Sequence, residues 1–307
     1  MAGGFTSPSH LLRWILFESS PTSKILAVSL AGVFCWAYWP TLLGLATSWS
    51  TEPDYSHGFF VVPLALLFLW LRRQRFPGTT GGWVWVGWVF IALSVAVRYV
   101  GGRYHVDALD GWSIPIWILG TCWLIGGWQV CLWAGPSIAF LWLMTPLPYR
   151  AERLASLPLQ RIATSISCWG LQFLGQPALA EGNTIYLGEH PLEVEDACCG
   201  LRIFVGVFAL ASAYVIIVRR SLWEKAVLFA CVVPVALAAN AVRIVMTALL
   251  YQHVSGPTAK QFSHDYAGWV MIFFAAALFG LVLWYLSRLF KEMVPGDVGS
   301  LIRQRSG

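Results

Sequence analysis

The sequence predicts an all-α polytopic membrane protein of about eight transmembrane helices. Apolar residues make up 58% of the 307-residue chain and charged residues only 11%, against about 25% in soluble domains. Mean hydropathy is +0.66. The apolar residues gather into runs close to the ~20 residues that cross a bilayer core, with short basic clusters between them. Eighteen tryptophans suit two wide interfacial belts. The net charge of +5 is spread over those clusters, which reads as topology signals and not as a phosphate-binding face. The expected surroundings are therefore the lipid bilayer, with no nucleic-acid partner.

Residues 1–24 are polar and mixed, expected as a cytoplasmic segment without a cleavable signal. Ile25 to Leu45 is long enough to span. A short acidic loop with Glu52 and Asp54 follows, then Tyr55-Ser56-His57-Gly58 and a second span to Leu71, stopped by Arg72, Arg73 and Arg75. Trp83 to Val97 makes a third, ending at Arg98 and a polar loop through Asp110. Ile114 to Thr145 is too long for one helix, and Gly126-Gly127 in its middle predicts a tight hairpin of two spans, the second carrying Pro136.

Beyond Pro146 the chain changes character. Residues 151–174 mix Leu154, Leu157, Ile162, Ile166, Trp169 and Leu171 with Arg150, Glu152, Arg153 and Arg161, as in an amphipathic helix lying along the interface. Gln176 to Val194 alternates short apolar runs with Gly182-Asn183, Gly188 and Pro191, which predicts a small extracytoplasmic hairpin. Three more spans are expected at Leu201–Val218, Ala226–Leu250 and Ala267–Leu289. Residues 25–290 then form the transmembrane domain and 291–307 a basic cytoplasmic tail.

Charge supports one orientation. Eight spans with the N-terminus inside place Arg72/Arg73/Arg75, Arg219/Arg220/Lys225 and the C-terminal basic residues in the cytoplasm. The acidic segments 52–54, 107–110 and 181–196 fall outside. The Lys/Arg bias of short loops sets orientation; Arg150, Arg153 and Arg161 depart from it within a long segment, where the rule weakens. The end of the 181–196 segment, the outer part of the helix holding Arg243, and His264 in an outer loop then share the extracytoplasmic face.

Chemistry concentrates at Glu195-Asp196-Ala197-Cys198-Cys199-Gly200-Leu201-Arg202, where a polar segment opens into an apolar run. Asn240-Ala241-Val242-Arg243 and Ser263-His264-Asp265 follow downstream. Read singly, each feature has a plain explanation: packing for the thiols, snorkelling for Arg243, solvation for His264, a loop position for His57. Adjacent cysteines can also close a strained ring disulfide or bind metal with His57 and His264, but Cys-Cys is not common zinc spacing, and no metal is expected. Cys35, Cys122, Cys131, Cys168 and Cys231 lie in apolar or amphipathic runs and are expected as small core residues. An arginine inside a membrane helix is a functional candidate by default.

Ala197-Cys198-Cys199-Gly200-Leu201-Arg202, then Asn240-x-x-Arg243, then His264, resembles the exosortase/archaeosortase family of integral-membrane cysteine transpeptidases. Tyr55-Ser56-His57-Gly58, with its apolar run ending in Leu69-Trp70-Leu71-Arg72-Arg73, is similar to that family's N-terminal signature. The resemblance covers roughly residues 40 to 290. It implies cleavage of C-terminal sorting signals of exported proteins, each a short motif, a transmembrane helix and a basic tail, of PEP-CTERM type in bacteria. It also implies a bacterial inner-membrane location. Cys198 stands at the nucleophile position. The family usually has a small polar residue next, where this chain has Cys199.

The residues suit that chemistry on their own terms. A thiolate is the nucleophile of acyl transfer, and a free Cys of pKa about 8.5 needs help to ionise. His264 can take the thiol proton and return one to the leaving amine, and Arg243 can hold a developing oxyanion. Asn240, one turn before Arg243, can orient the guanidinium. Gly200 lets backbone approach closely, and Arg202 can pair with Glu195 or Asp196 or bind a substrate carboxylate. His57 is a candidate contact for the substrate signal. No cofactor is needed, since the thiol supplies the nucleophile, and the acceptor is water or an amine. A transporter or flippase for a lipid-linked precursor is the alternative, with Arg243 and Arg202 on phosphate, Cys198 incidental, and spans broken at Pro136 and Pro234. A non-catalytic scaffold would tolerate changes at Cys198, Arg243 and His264 alike.

Overall fold

The computed structural model describes residues 21–52, 55–78, 82–187, 190–194, 201–218, 221–253 and 257–289. Among them run α1 (Pro21–Thr51), α2 (Gly58–Leu71), α3 (Val84–Tyr104), α4 (Asp107–Phe140) and α5 (Tyr149–Phe173). Strands β1 (Ala178–Glu181), β2 (Thr184–Leu187) and β3 (His190–Glu193) follow, then α6 (Leu201–Ile217), α7 (Leu222–His253) and α8 (Pro257–Leu289). The described residues of Met1–Pro158, with Ser212–Ile217, form one compact unit, and those of Leu159–Ala211 and Val218–Gly307 a second. Four described stretches are long and apolar enough to cross a membrane: Lys24–Thr51, Val84–Tyr104, Asp107–Met144 and Leu222–Leu250. Gly58–Leu71, Ile203–Ile217 and Phe273–Leu289 are shorter apolar helices.

Helix α4 is really two helices. A straight helix of its 34 residues would run about 50 Å, well beyond a core of about 30 Å. Gly127 interrupts it at φ 78 and ψ −173, a backbone conformation reserved almost entirely for glycine. The thiol of Cys131 then donates to the carbonyl of Leu119 at 3.5 Å. Twelve residues along a straight helix would hold those groups about 18 Å apart, so the chain has doubled back at the glycine pair. Asp107 and Asp110 occupy the first turn of the first half, where the helix dipole favours negative charge.

In the first unit α3 packs against α4, and α1 against α4. The interface carries a buried polar network. Tyr38 Oη lies 2.7 Å from Ser94 Oγ and 2.8 Å from Ser113 Oγ, and Ser94 Oγ donates to the Ser113 carbonyl at 2.8 Å. Thr41 Oγ1 donates to Asp110 Oδ2 at 2.5 Å, and Arg98 Nε sits 3.4 Å from Asp110 Oδ1. Hydrogen bonds of this kind hold membrane helices together where apolar burial gives no driving force between them.

In the second unit, α5 ends in a Schellman cap: Gln176 N–H donates to Leu171 O at 3.0 Å and Gly175 N–H to Gln172 O at 2.9 Å. Gly175 adopts φ 78 to close it. The three strands form an antiparallel sheet in the order β1-β2-β3, pairing Ala180 with Ile185 and Ile185 with Leu192. Ala178, Ile185 and Leu187 turn to one face of the sheet. They pack with Ala163, Cys168 and Leu171 of α5, Ile244 and Ala248 of α7, and Val194.

Several expectations change. The hairpin of Gln176 to Val194 is a three-stranded meander, so among the described residues the regular structure is helical apart from this small sheet. Pro191 was expected to mark a turn, but β3 is an edge strand, where a missing N–H is tolerated. Helix α1 runs Pro21–Thr51 and α7 runs Leu222–His253, both longer than their apolar cores. Helix α8 begins at Pro257 and not near Ala267, because proline suits a first helical position. Cys131 and Cys168 are buried and Cys122 and Cys231 partly so, but Cys35 is exposed. It stands with Trp36 and Trp39 on an uncovered side of α1, as an apolar side chain can when its surroundings are lipid.

Candidate active site

Helix α7 positions the first of the expected site residues. Ala236, Ala239, Asn240, Arg243, Ile244 and Ala248 are all buried, while Val242 and Met246 are exposed. That division is one inward face at helical spacing. Arg243 is 5% exposed and Asn240 1%. Snorkelling therefore does not describe Arg243: the helix continues ten further residues to His253, and the head group is covered where it stands. Asn240, one turn earlier on the same face, lines the same environment.

Helix α5 supports this turn from outside. Ser167 Oγ donates to the carbonyl of Ala241 at 3.3 Å. A Cβ added to Gly170 would meet Val245 Cγ2 at 3.3 Å, so the two helices lie close. The amphipathic pattern of α5 holds, but with an unexpected polarity. Ser156, Gln160, Thr164 and Ser167 are buried, whereas Leu154, Ile162, Ile166, Trp169 and Phe173 are exposed. Leu171 does not share their stripe; it lies in the core against the sheet.

Gln160 is the centre of a closed ring of hydrogen bonds. Its Nε2 donates to the carbonyl of Val194, the Val194 N–H donates to the Asn183 carbonyl at 2.9 Å, and Asn183 Nδ2 donates to Gln160 Oε1 at 2.7 Å. Thr164 Oγ1 adds a bond to the Gln160 carbonyl at 2.8 Å. Sequence reading missed this ring. The sole hint was polar residues at 160, 164 and 167, spaced at helical period.

The remaining site residues divide as follows. Glu195, Cys198, Cys199 and Gly200 lie outside the described residues. Arg202 belongs to the first turn of α6 and His264 to α8, seven residues after Pro257, with side chains outside what is described. The expected outer loop around His264 is thus helix, and α8 packs against α7. His57 belongs to the first unit. Its Nε2 lies 3.0 Å from the Leu143 carbonyl and, as an N–H, donates to it. Trp49 Nε1 donates to Met144 O at 2.7 Å. Both rings thus satisfy carbonyls of the 3-10 turn Leu141–Met144, which gives His57 a structural task.

Four membrane-capable helices, one of them carrying a buried guanidinium at Arg243, define a multi-pass helical membrane protein. The chain matches the transmembrane exosortase family over residues 49–283, 235 of its 307 residues, and it belongs to that family. No curated protein and no solved structure was found to match it.

Proposed function

We propose that the protein is a cysteine transpeptidase or endopeptidase of the bacterial inner membrane that cleaves C-terminal sorting signals of exported proteins. The observation that carries this reading is Arg243. A guanidinium 5% exposed within a membrane-capable helix is costly unless it has a task, and the chain belongs to the exosortase family. The Cys198 thiolate attacks the scissile carbonyl carbon, Arg243 stabilises the oxyanion, and His264 carries the thiol proton to the leaving amine as the C–N bond breaks. The resulting thioester passes its acyl group to an amine or to water. Asn240 orients Arg243; Arg202, Glu195 and Gly200 shape the approach to the thiol, and His57 braces the loop of the N-terminal signature.

The break at Gly127 supports eight spans, since it divides one of the seven apolar stretches into two. That count, with the charge bias, puts the site on the extracytoplasmic face. An alkaline phosphatase fused after Gly182 should then be active and one fused after Arg220 inactive. To test the reaction, the protein is co-expressed with an exported protein of the same genome ending in motif, apolar helix and basic tail. Intact mass of that protein should show loss of its tail with the parent enzyme and retention with Cys198→Ser. Equal trimming by the double variant Cys198→Ser/Cys199→Ser would refute the cysteine mechanism and leave the transporter reading standing.

A further inference from the structure

We infer that Gln160 is a positioning residue: through its hydrogen-bonded ring with Asn183 and Val194 it fixes the backbone from which the Cys198 segment departs, in register with the Arg243 turn. The inference rests on the proposed cysteine mechanism and adds a residue that mechanism does not name.

Val194 is the last residue before Glu195-Asp196-Ala197-Cys198. Its carbonyl accepts from Gln160 and its N–H donates to Asn183, so both backbone groups of that residue are held. The holder is buried: Gln160 is 4% exposed, and a buried amide binds its partners more firmly than one competing with water. Seven residues on, Ser167 of the same helix donates to the carbonyl of Ala241. Seven residues are two turns, so the two contacts issue from one face of α5, about 10 Å apart along its axis. Ala241 lies between Asn240 and Arg243. One rigid helix face therefore grips the backbone four residues before the nucleophile and the backbone two residues before the arginine. Val194, Ile244 and Ala248 also share the apolar core that surrounds these contacts. Acyl transfer needs thiol and oxyanion donor in fixed relation, and a displacement of about 1 Å can cost about 100-fold in rate.

The polar choice at 160 is otherwise hard to account for. A leucine of similar volume would pack against the same core without needing partners, whereas glutamine must find both a donor and an acceptor when buried. It finds them in Val194, the residue after β3, and in Asn183 of the β1–β2 turn.

The test uses the full chain in its own membranes, in a Cys199→Ser background, with iodoacetamide as the probe. Peptide mass spectrometry follows alkylation at Cys198 and Cys168 across pH. Cys168 is buried in the same core and reports any opening of it. In the parent, Cys198 should alkylate well below the ordinary thiol range, because only the thiolate reacts. Gln160→Ala should slow Cys198 alkylation about tenfold near pH 6, as a thiol pKa raised by about one unit requires, with Cys168 still protected. Gln160→Glu should match the parent in acid, where the neutral carboxyl can donate to Val194 O and accept from Asn183. It should then approach Gln160→Ala as the carboxyl ionises and loses its donor. Ordinary Cys198 reactivity in this background would overturn Cys198 as the nucleophile, and the inference with it. An unshifted Cys198 profile in Gln160→Ala overturns the inference alone. So does labelling of Cys168 in step with Cys198, which would make Gln160 a packing residue.

Discussion

The guanidinium of Arg98 lies over the ring of Tyr38, its central carbon 4.4 Å from the ring centroid. Asp110 meets the same guanidinium at 3.4 Å, and the Tyr38 hydroxyl meets two serines from α3 and α4. One tyrosine on α1 thus joins three helices through both its ring and its oxygen. Intramembrane hydrogen bonds average well under 1 kcal/mol and reach about 1.7, so Tyr38→Phe should cost about 1 kcal/mol and keep catalysis. Asp110→Asn, which strips the counter-charge from Arg98, should cost about 2–3 kcal/mol after allowing for partial exposure. Thermal melting of the purified protein in detergent measures both. A Tyr38→Phe protein melting with the parent would reduce the network to incidental contacts.

That network was not legible in the sequence, and the reason is physical. Tyr38, Ser94 and Ser113 sit in apolar runs as isolated polar residues, and hydropathy averages them away. Gln160 escaped for the opposite reason. In a helix read as interfacial, polar residues are assumed to face water, yet here Ser156, Gln160, Thr164 and Ser167 turn inward. What hydropathy does measure was readable: the apolar runs, the basic residues that end them, and the glycine pair that splits the longest. The candidate site was legible as residue types and order. Arg243 proved buried, but nothing in the sequence indicated that Ser167 would hold its helix turn.

Gly127 offers a direct test of the hairpin. Its φ of 78 and ψ of −173 belong to a region costing about 1–3 kcal/mol for any residue with a Cβ. Gly127→Ala should lower the melting temperature accordingly. Gly44→Ala is the matched control, since a Cβ there meets nothing within 4 Å and alanine favours the helix. It should be neutral or slightly stabilising. If the two alanine variants behave alike, α4 does not turn at Gly127.

For Arg243 the question is shape or charge. An oxyanion held by a planar fork needs donors that lysine cannot supply in the same places. Arg243→Lys should therefore insert and accumulate normally while losing about 100-fold or more in signal cleavage, the usual scale for one lost oxyanion donor. Quantifying processed and unprocessed substrate against enzyme level decides it. Near-parental turnover would make Arg243 a point charge.

Two adjacent thiols cannot share one task. Successive side chains diverge by about 100° in a helix and point to opposite faces in a strand, so a given backbone turns only one toward an oxyanion donor and a proton acceptor. The resemblance of Ala197-Cys198-Cys199-Gly200 to the exosortase motif is the ground for proposing Cys198 as nucleophile, with Cys199 where that motif usually has a small polar residue. Serine at 199 restores that pattern, so Cys199→Ser should keep most substrate processing. Cys198→Ala should abolish it, because the remaining thiol of Cys199 leaves the backbone in another direction. An acyl-enzyme trapped with substrate and mapped by mass should accordingly sit on residue 198 in the Cys199→Ser protein. If instead Cys199→Ser is inactive and Cys198→Ala still trims its substrate, the nucleophile is Cys199. The backbone held at Val194 then delivers its thiol one residue later than assigned.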